Sequence, residues 1–471
     1  MFYEKRFDLQ RCKKPKNNAN DRLKEIVALY RGLEELVNMN KCQNVYFRGE
    51  CMENKKKRLL ILGGAVQCLK VVEAAKELGV YTIVTDILDN GAAKLAADEA
   101  LPFSVTDSEA ILKWCRENPV DGVLNFCVDY AQIAHQRVCE ALGFPSFGTA
   151  EQYRTLTDKS VFKAFCMENG VDVIPQYSED HLEEVEYPVL VKPAESSGSR
   201  GTAVCRTREE LTAALITAKQ ESKNGKALIE KYLYGCPDFS MSYIIIDGEP
   251  YLTRTLDRYV GRPEDNLQRQ CICARCPSVY TDLYLEKAHP HVMGMLKKLG
   301  LKNAAVFMQG FVDGDKFRFY DPGLRFSGAE YERMLKRATG VDVVKAFVNY
   351  ALGSDLTSLA EQIKNDVFLP NGHVGLQLFI DAYPGTMQSI SGVEEIVAIP
   401  EVVTILQKHN LGYTIPASGD VKQRIFEIVT VNDNDKESVE RTVRKIRNLL
   451  SIKDAQGREL ITPIIDVNRL F

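Results

Sequence analysis

This chain has no run of apolar residues near the 18 or so needed for a helix to cross a bilayer. Its first residues, Met1-Phe2-Tyr3-Glu4-Lys5-Arg6-Phe7-Asp8, lack the apolar stretch of a secretory signal, so a cytoplasmic location is expected. Strong charge of either sign is missing too. The 60 Lys and Arg against 64 Asp and Glu leave a net −4, which gives no broad pull toward nucleic acid or a membrane surface. The 13 cysteines, an odd number, are scattered as single small hydrophobes, as expected for reduced thiols. Cys271, Cys273 and Cys276, with His289 and His291 beyond them, lack the second Cys-x-x-Cys knuckle that usually completes a zinc site. Alternating strand positions account for them more simply. Internal repeats and low-complexity tracts are also absent.

The glycines of a dinucleotide-binding turn are missing as well. Leu59 to Leu62 is an apolar strand, Gly63-Gly64 a turn, Ala65 to Leu78 an amphipathic helix, and Val80 to Val84 a strand ending at Asp86. The fingerprint needs glycine at 63, 65 and 68, where the chain has Gly63, Ala65 and Cys68. A structural βαβ unit is therefore favoured over a nicotinamide site.

At 471 residues there is room for about three domains. Residues 1–57 stand apart, with 14 Lys and Arg against 8 Asp and Glu and one helical pattern from Leu23 to Val37. They are expected to be an extension, and nucleic-acid motifs are lacking. Residues 58–150 read as a Rossmann-like unit, with a further strand at Val120 to Asn125 and a helix at Tyr130 to Leu142. Residues 151–353 alternate strands and helices irregularly, which suggests α+β lobes. Residues 354–471 form a third unit with a strand at Val374 to Ile380 and a helix near Lys436 to Leu450.

Chemistry concentrates in the middle unit. Lys159 opens a helix in Thr157-Asp158-Lys159-Ser160. Lys192 ends the strand Val189-Leu190-Val191-Lys192 and is followed by the small-residue loop Ser196-Ser197-Gly198-Ser199-Arg200-Gly201. Two ammonium groups and a loop of backbone N–H donors suit a polyphosphate. Glu230-Lys231-Tyr232-Leu233, Asp238, Gln309 and the run Asp321-Pro322-Gly323-Leu324-Arg325-Phe326-Ser327-Gly328 follow in order. Together these motifs resemble the ATP-grasp superfamily, and the likeness extends over about residues 58–471.

The resemblance implies an α/β and α+β architecture: a Rossmann-like pre-ATP-grasp domain, a two-lobed ATP-grasp domain and a C-terminal closing domain. It implies ATP and Mg2+ as cofactors, held by Lys159, Lys192, Ser196, Ser197, Gly198, Ser199 and Gly201. Glu230 to Leu233 would bind adenine through backbone groups and shield the ring, with Asp238 on the ribose. Asp321 and Gln309 fall where the family keeps two metal-binding acids, so one of those acids is a neutral carboxamide here. Gly323 replaces an asparagine ligand. Arg325 and Lys192 are the candidate catalytic residues, Arg325 near the γ-phosphate. Of Arg254, Arg258, Arg262, Arg269 and Arg275, Arg258 is the first choice for an anionic substrate.

The implied activity is a carboxylate–amine ligase acting through an acyl phosphate on small-molecule carboxylate and amine substrates. No nucleic-acid or membrane partner is implied, and a homodimer stays open. Alternatives are a bicarbonate-activating enzyme like biotin carboxylase or carbamoyl-phosphate synthase, and a nucleotide-binding protein without turnover. Tyr383-Pro384-Gly385-Thr386 and Ser389-Ile390-Ser391-Gly392-Val393 resemble the closing domain of such enzymes. No Met-Lys-Met biotin-carrier segment occurs. The break in composition before the first strand makes residues 1–51 expendable. A protein starting at Met52 should keep a cooperative thermal transition and its ATP affinity, and an insoluble product would refute this.

Overall fold

A computed structural model describes residues 56–193, 201–222, 225–233, 235–261, 270–363, 369, 372–418 and 421–471. The helix expected at Leu23 to Val37 and the loop residues Ser196 to Ser199 lie outside them. Four parallel strands come first: β1 (Arg58–Leu62), β2 (Tyr81–Thr85), β3 (Glu99–Leu101) and β4 (Gly122–Leu124), in the order β3-β2-β1-β4. β1 is a continuous apolar run because helices cover both faces, among them α1 (Leu69–Glu77) and α2 (Gln132–Leu142). Gly63 has φ +127°, and a Cβ there would meet Val128 Cγ2 at 2.5 Å. The turn therefore needs glycine to let two loops approach, with no nucleotide required to explain it.

The next helix, α3 (Lys159–Glu168), starts where it does because Asp158 caps it, accepting from Ser160 N at 2.9 Å and Val161 N at 3.2 Å. A small antiparallel sheet follows, ordered β5-β8-β6-β7: β5 (Gln176–Tyr177), β6 (Val189–Pro193), β7 (Ala203–Cys205) and β8 (Ala227–Lys231). Val189, Val191 and Ile229 on one face pack against Leu211, Leu215 and Ala218 of α4 (Arg208–Glu221). The opposite face is left for Lys192 and Glu230.

The largest sheet has eight strands. It contains β9 (Asp238–Ile246), β10 (Glu249–Val260), β11 (Cys271–Cys276), β12 (Ala304–Asp313), β13 (Lys316–Gly323), β14 (His373–Asp381), β15 (Val402–Gln407) and β16 (Arg424–Asp433), ordered β13-β12-β9-β10-β11-β14-β16-β15. Every pairing in it is antiparallel. The sheet thus continues across the boundary expected at residue 353, since β11 pairs with β14. Between them comes α5 (Val343–Ala351), whose Ala351 packs beside β4, and the last helix is α6 (Lys436–Leu449). Asp313 and Asp315 flank Gly314 in the β12–β13 turn, where Gly314 takes φ +66°. Among the described residues no helix is long and apolar enough to cross a membrane.

Cys271, Cys273 and Cys276 lie in β11 and are buried. His289 contacts Tyr243 Oη at 2.6 Å instead of a thiol. The described residues that cluster as three metal-type ligands are His181, Glu183 and Glu184, all exposed and without these cysteines.

A Cβ on Gly122 would lie 2.1 Å from the carbonyl oxygen of Ala351. Gly122→Ala should therefore cost about 1–3 kcal/mol in denaturant unfolding, because backbone, not a side-chain tip, must yield. Gly294→Ala, in the helix His289–Leu299 with nothing within 4 Å, should be neutral or gain up to about 1 kcal/mol.

Candidate functional site

Register determines which side chains share a face, because directly opposed residues on neighbouring strands point the same way. Asp321 opposes Gln309, Gln309 opposes Ser240, and Asp238 opposes Arg258. Ser242 opposes Arg254, Arg258 opposes Ala274, and Ala274 opposes Gln377. One face of the large sheet is therefore a polar floor from β13 to β14. The other face carries Phe239, Met241 and Tyr243 into the main core. Arg275 opposes Asp257 on that second face, whereas Arg262 and Arg269 lie outside the described residues.

At one end of the floor, Lys159 Nζ sits 3.0 Å from Asp321 Oδ1. Gln309 Nε2 donates to Asp238 Oδ1 and Oδ2 at 3.2 and 3.4 Å, leaving its Oε1 as the acceptor on the side away from Asp238. Arg258 Nη1 donates to Asp238 Oδ2 at 2.9 Å. Burial pushes the Asp238 carboxyl up to about 6 against the opposing pull of Arg258. Asp238 is therefore engaged with two protein groups, and Arg258 already has a carboxylate.

Glu230 is turned differently from the expected ring shield. Its carboxylate is 2% exposed and bonds Lys192 Nζ at 2.6 Å, Gln176 Nε2 at 3.2 Å, and Lys163 Nζ. Burial favours the neutral acid, but Lys192 and Lys163 outweigh it and hold Glu230 below the usual carboxylate range. The N–H groups of Lys231 and Tyr232 donate to Pro175 O at 2.9 Å and Pro188 O at 3.0 Å, so neither is offered to a base. Lys231 Nζ lies 3.8 Å from Asp313. Gly201 has φ +69°, and a Cβ there would meet Glu221 Cβ at 2.9 Å, so the position favours glycine.

Arg325 is only 8% exposed and lies against the first sheet's loops. Its Nε donates to Asp129 Oδ1 at 3.1 Å, and its guanidinium stacks over Phe307 at 4.8 Å. Phe326 N donates to Phe126 O at 2.9 Å, the two rings stack at 4.1 Å, and Leu324 N donates to Gln132 Oε1 at 2.9 Å. The Leu324–Phe326 segment is thus clamped by residues 126–132. Gly323 has a steric reason: a Cβ there would lie 3.0 Å from Phe307 Cδ1 and 3.2 Å from Arg325 Cγ. A side chain at that position would require the Phe307 ring to give by a few tenths of an ångström.

The structure therefore joins Lys159 with Asp321, Gln309 with Asp238 and Arg258, and Lys192 with Glu230, while Arg325 is held apart by Asp129. Asp321 and Gln309 Oε1 are hard oxygen donors that fit magnesium. Sequence reasoning missed Lys163, although it stands one helical turn from Lys159 in α3 and so on the same face. It also missed Arg254 as a floor residue; Arg254 donates to Ser327 Oγ at 2.6 Å and Ser240 Oγ at 3.2 Å. Its strand spacing from Arg258 placed the two on one face. Asp129 and Gln176 had no local signal.

Residues 158–249 match the family model described as carbamoyl-phosphate synthase L chain, ATP binding domain. Biotin carboxylase 1 of Bacillus subtilis (strain 168) is 23% identical over 384 residues, covering 70% of this chain and 83% of that protein. The L-amino acid ligase of Bacillus licheniformis superposes with a TM-score of 0.68 at 19% identity, covering 85% of this chain and 99% of that one. The biotin carboxylase domain dimer of the Hydrogenobacter thermophilus 2-oxoglutarate carboxylase was solved with MgADP, ADP and bicarbonate. It superposes with a TM-score of 0.68 at 20% identity, covering 87% and 92%. The shared fold is that of ATP-grasp ligases.

Lys192→Ala should weaken ATP binding about tenfold by calorimetry, the loss of one charge-assisted contact. Glu230→Ala should instead lower folding stability by about 3–5 kcal/mol, because it leaves Lys163 buried without its counter-charge. Urea unfolding separates the two effects.

Proposed function

We propose that this chain, which has the ATP-grasp fold, is a magnesium-dependent ligase that activates a small carboxylate as an acyl phosphate and couples it to an amine. The observation that carries the reading is the way α3 links the two sheets: Lys159 meets Asp321 of the large sheet, and Lys163, one turn on, shares Glu230 with Lys192 of the small sheet. The relatives named above, a ligase for amino acids and enzymes of biotin carboxylation, support the same ATP-driven chemistry.

In this scheme Lys159 and Lys192 exchange their resident carboxylates for phosphate oxygens as the nucleotide enters. Both lysines are already paired with acids, so each can transfer its ion pair without a bare charge appearing in the cleft. Magnesium, when bound at Asp321 and Gln309, supplies charge neutralisation of the phosphates. The substrate carboxylate attacks the γ-phosphorus, the β–γ bridging bond breaks, and ADP leaves. The amine then attacks the acyl carbon and inorganic phosphate departs. Arg325, held by Asp129 and Phe307, provides a fixed guanidinium for the transferring group, and such preorganised charge is the main source of rate in phosphoryl transfer. Cytoplasmic residence and a homodimer complete the proposal, the latter supported by the dimeric biotin carboxylase domain with the same fold.

Hydroxylamine can stand in for the unknown amine, since an acyl phosphate is a strong electrophile. Enzyme, ATP, magnesium, hydroxylamine and a pool of carboxylates should give hydroxamate and ADP in equal amounts, and Arg325→Ala should lose at least 90% of both. ADP release stimulated by bicarbonate alone, with no hydroxamate, would replace this reading with bicarbonate activation. No carboxylate-dependent ADP at all would leave a binding protein.

A further inference from the structure

Position 309 lacks the negative charge that a divalent cation favours, and the strand next to it supplies a partner that orients the carboxamide standing there. Gln309 on β12 and Asp238 on β9 lie on the same face, two residues apart in register, and the amide nitrogen of Gln309 donates to both carboxylate oxygens of Asp238. An amide held through its nitrogen has its carbonyl oxygen aimed the opposite way. Across the ladder on the other side stands Asp321, the direct partner of Gln309. The order across three strands is thus carboxylate, carboxamide, carboxylate.

We propose that Asp238 is the positioning residue of the cation site: it fixes Gln309 through its amide nitrogen, with Oε1 presented beside Asp321. This rests on the proposed nucleotide-and-magnesium site and goes beyond it by giving Asp238 a role toward the cation. The surrounding charges agree. Lys159 faces Asp321 and Arg258 faces Asp238, so the two carboxylates are balanced one for one. Neither carboxylate is surplus. A glutamate at 309 would place a third negative group in contact with Asp238 where a hydrogen bond now exists, so restoring the acid at 309 alone weakens the site. The acid belongs at 309 or at 238, but not at both.

The full-length protein can be tested without turnover by titrating Mn2+ into protein saturated with ADP and following the free ion by electron paramagnetic resonance. Asp238→Asn should weaken Mn2+ binding about tenfold, the usual loss when a partner that orients a ligand is removed. Gln309→Glu alone should weaken it to a similar extent. The double variant Asp238→Asn/Gln309→Glu should return to within about threefold of the wild type, a coupling that independent or merely structural losses do not show. Thermal melting of each variant confirms that it is folded, and the near-isosteric exchanges leave the shape of the site intact. If the two losses simply multiply in the double variant, the proposal is wrong. It is also wrong if Asp238→Asn leaves Mn2+ affinity unchanged and weakens ADP but not 2′,3′-dideoxy-ADP, which would make Asp238 a ribose ligand. A wild type that binds ADP in metal-free buffer but no Mn2+ overturns the proposal alone. A wild type that binds no ADP overturns the nucleotide-site reading beneath it.

Discussion

The hydrogen-bond register of the eight-stranded sheet is the constraint on which the site depends. Side chains alternate between faces with a period of two, so slipping β12 by one residue against β9 would turn Gln309 into the core and Met308 onto the floor. The apolar residues of the second face resist this. Met241, Tyr243, Val306 and Met308 are each fully buried, and exposing them would forfeit on the order of 1.5–3 kcal/mol apiece. The chemistry of one face is thus held in place by hydrophobic burial on the other.

Around the candidate site, charge is neutralised locally before any ligand arrives. Lys159 has Asp321, Arg258 has Asp238, Arg325 has Asp129, and Lys192 shares Glu230 with Lys163. Arg254 is the contrast: fully buried, it reaches two serine hydroxyls, and its Nε has no hydrogen-bond partner. Isolated charge is expensive to bury, and paired charge is tolerable. A cleft of exchangeable ion pairs can receive a polyanion by swapping partners, with less desolvation than a bare cationic pocket would require.

Much of this was legible in the sequence, for physical reasons. The apolar runs at β1 and β14 had to be strands buried on their faces. Asp158 before Lys159 announced the start of α3. The joint order of Lys159, Lys192, Glu230 and Asp321 pointed to a nucleotide site through its resemblance to the ATP-grasp superfamily. What stayed hidden depends on distant partners. Glu230 faces inward because Lys163, 67 residues earlier, meets it. Arg325 is turned by Asp129, 196 residues away. Asp238, placed on the ribose by the family resemblance, meets Gln309 because β9 lies between β10 and β12. No local pattern encodes such pairings, since they arise from strand order.

Phe307 fills the space beside Gly323, and its ring also supports the Arg325 guanidinium. The two positions are therefore coupled by contact. A Cβ at 323 would require the Phe307 ring to give by a few tenths of an ångström, and the guanidinium stacked on that ring would follow it. The volume of residue 323 thus sets where the Arg325 head group can rest.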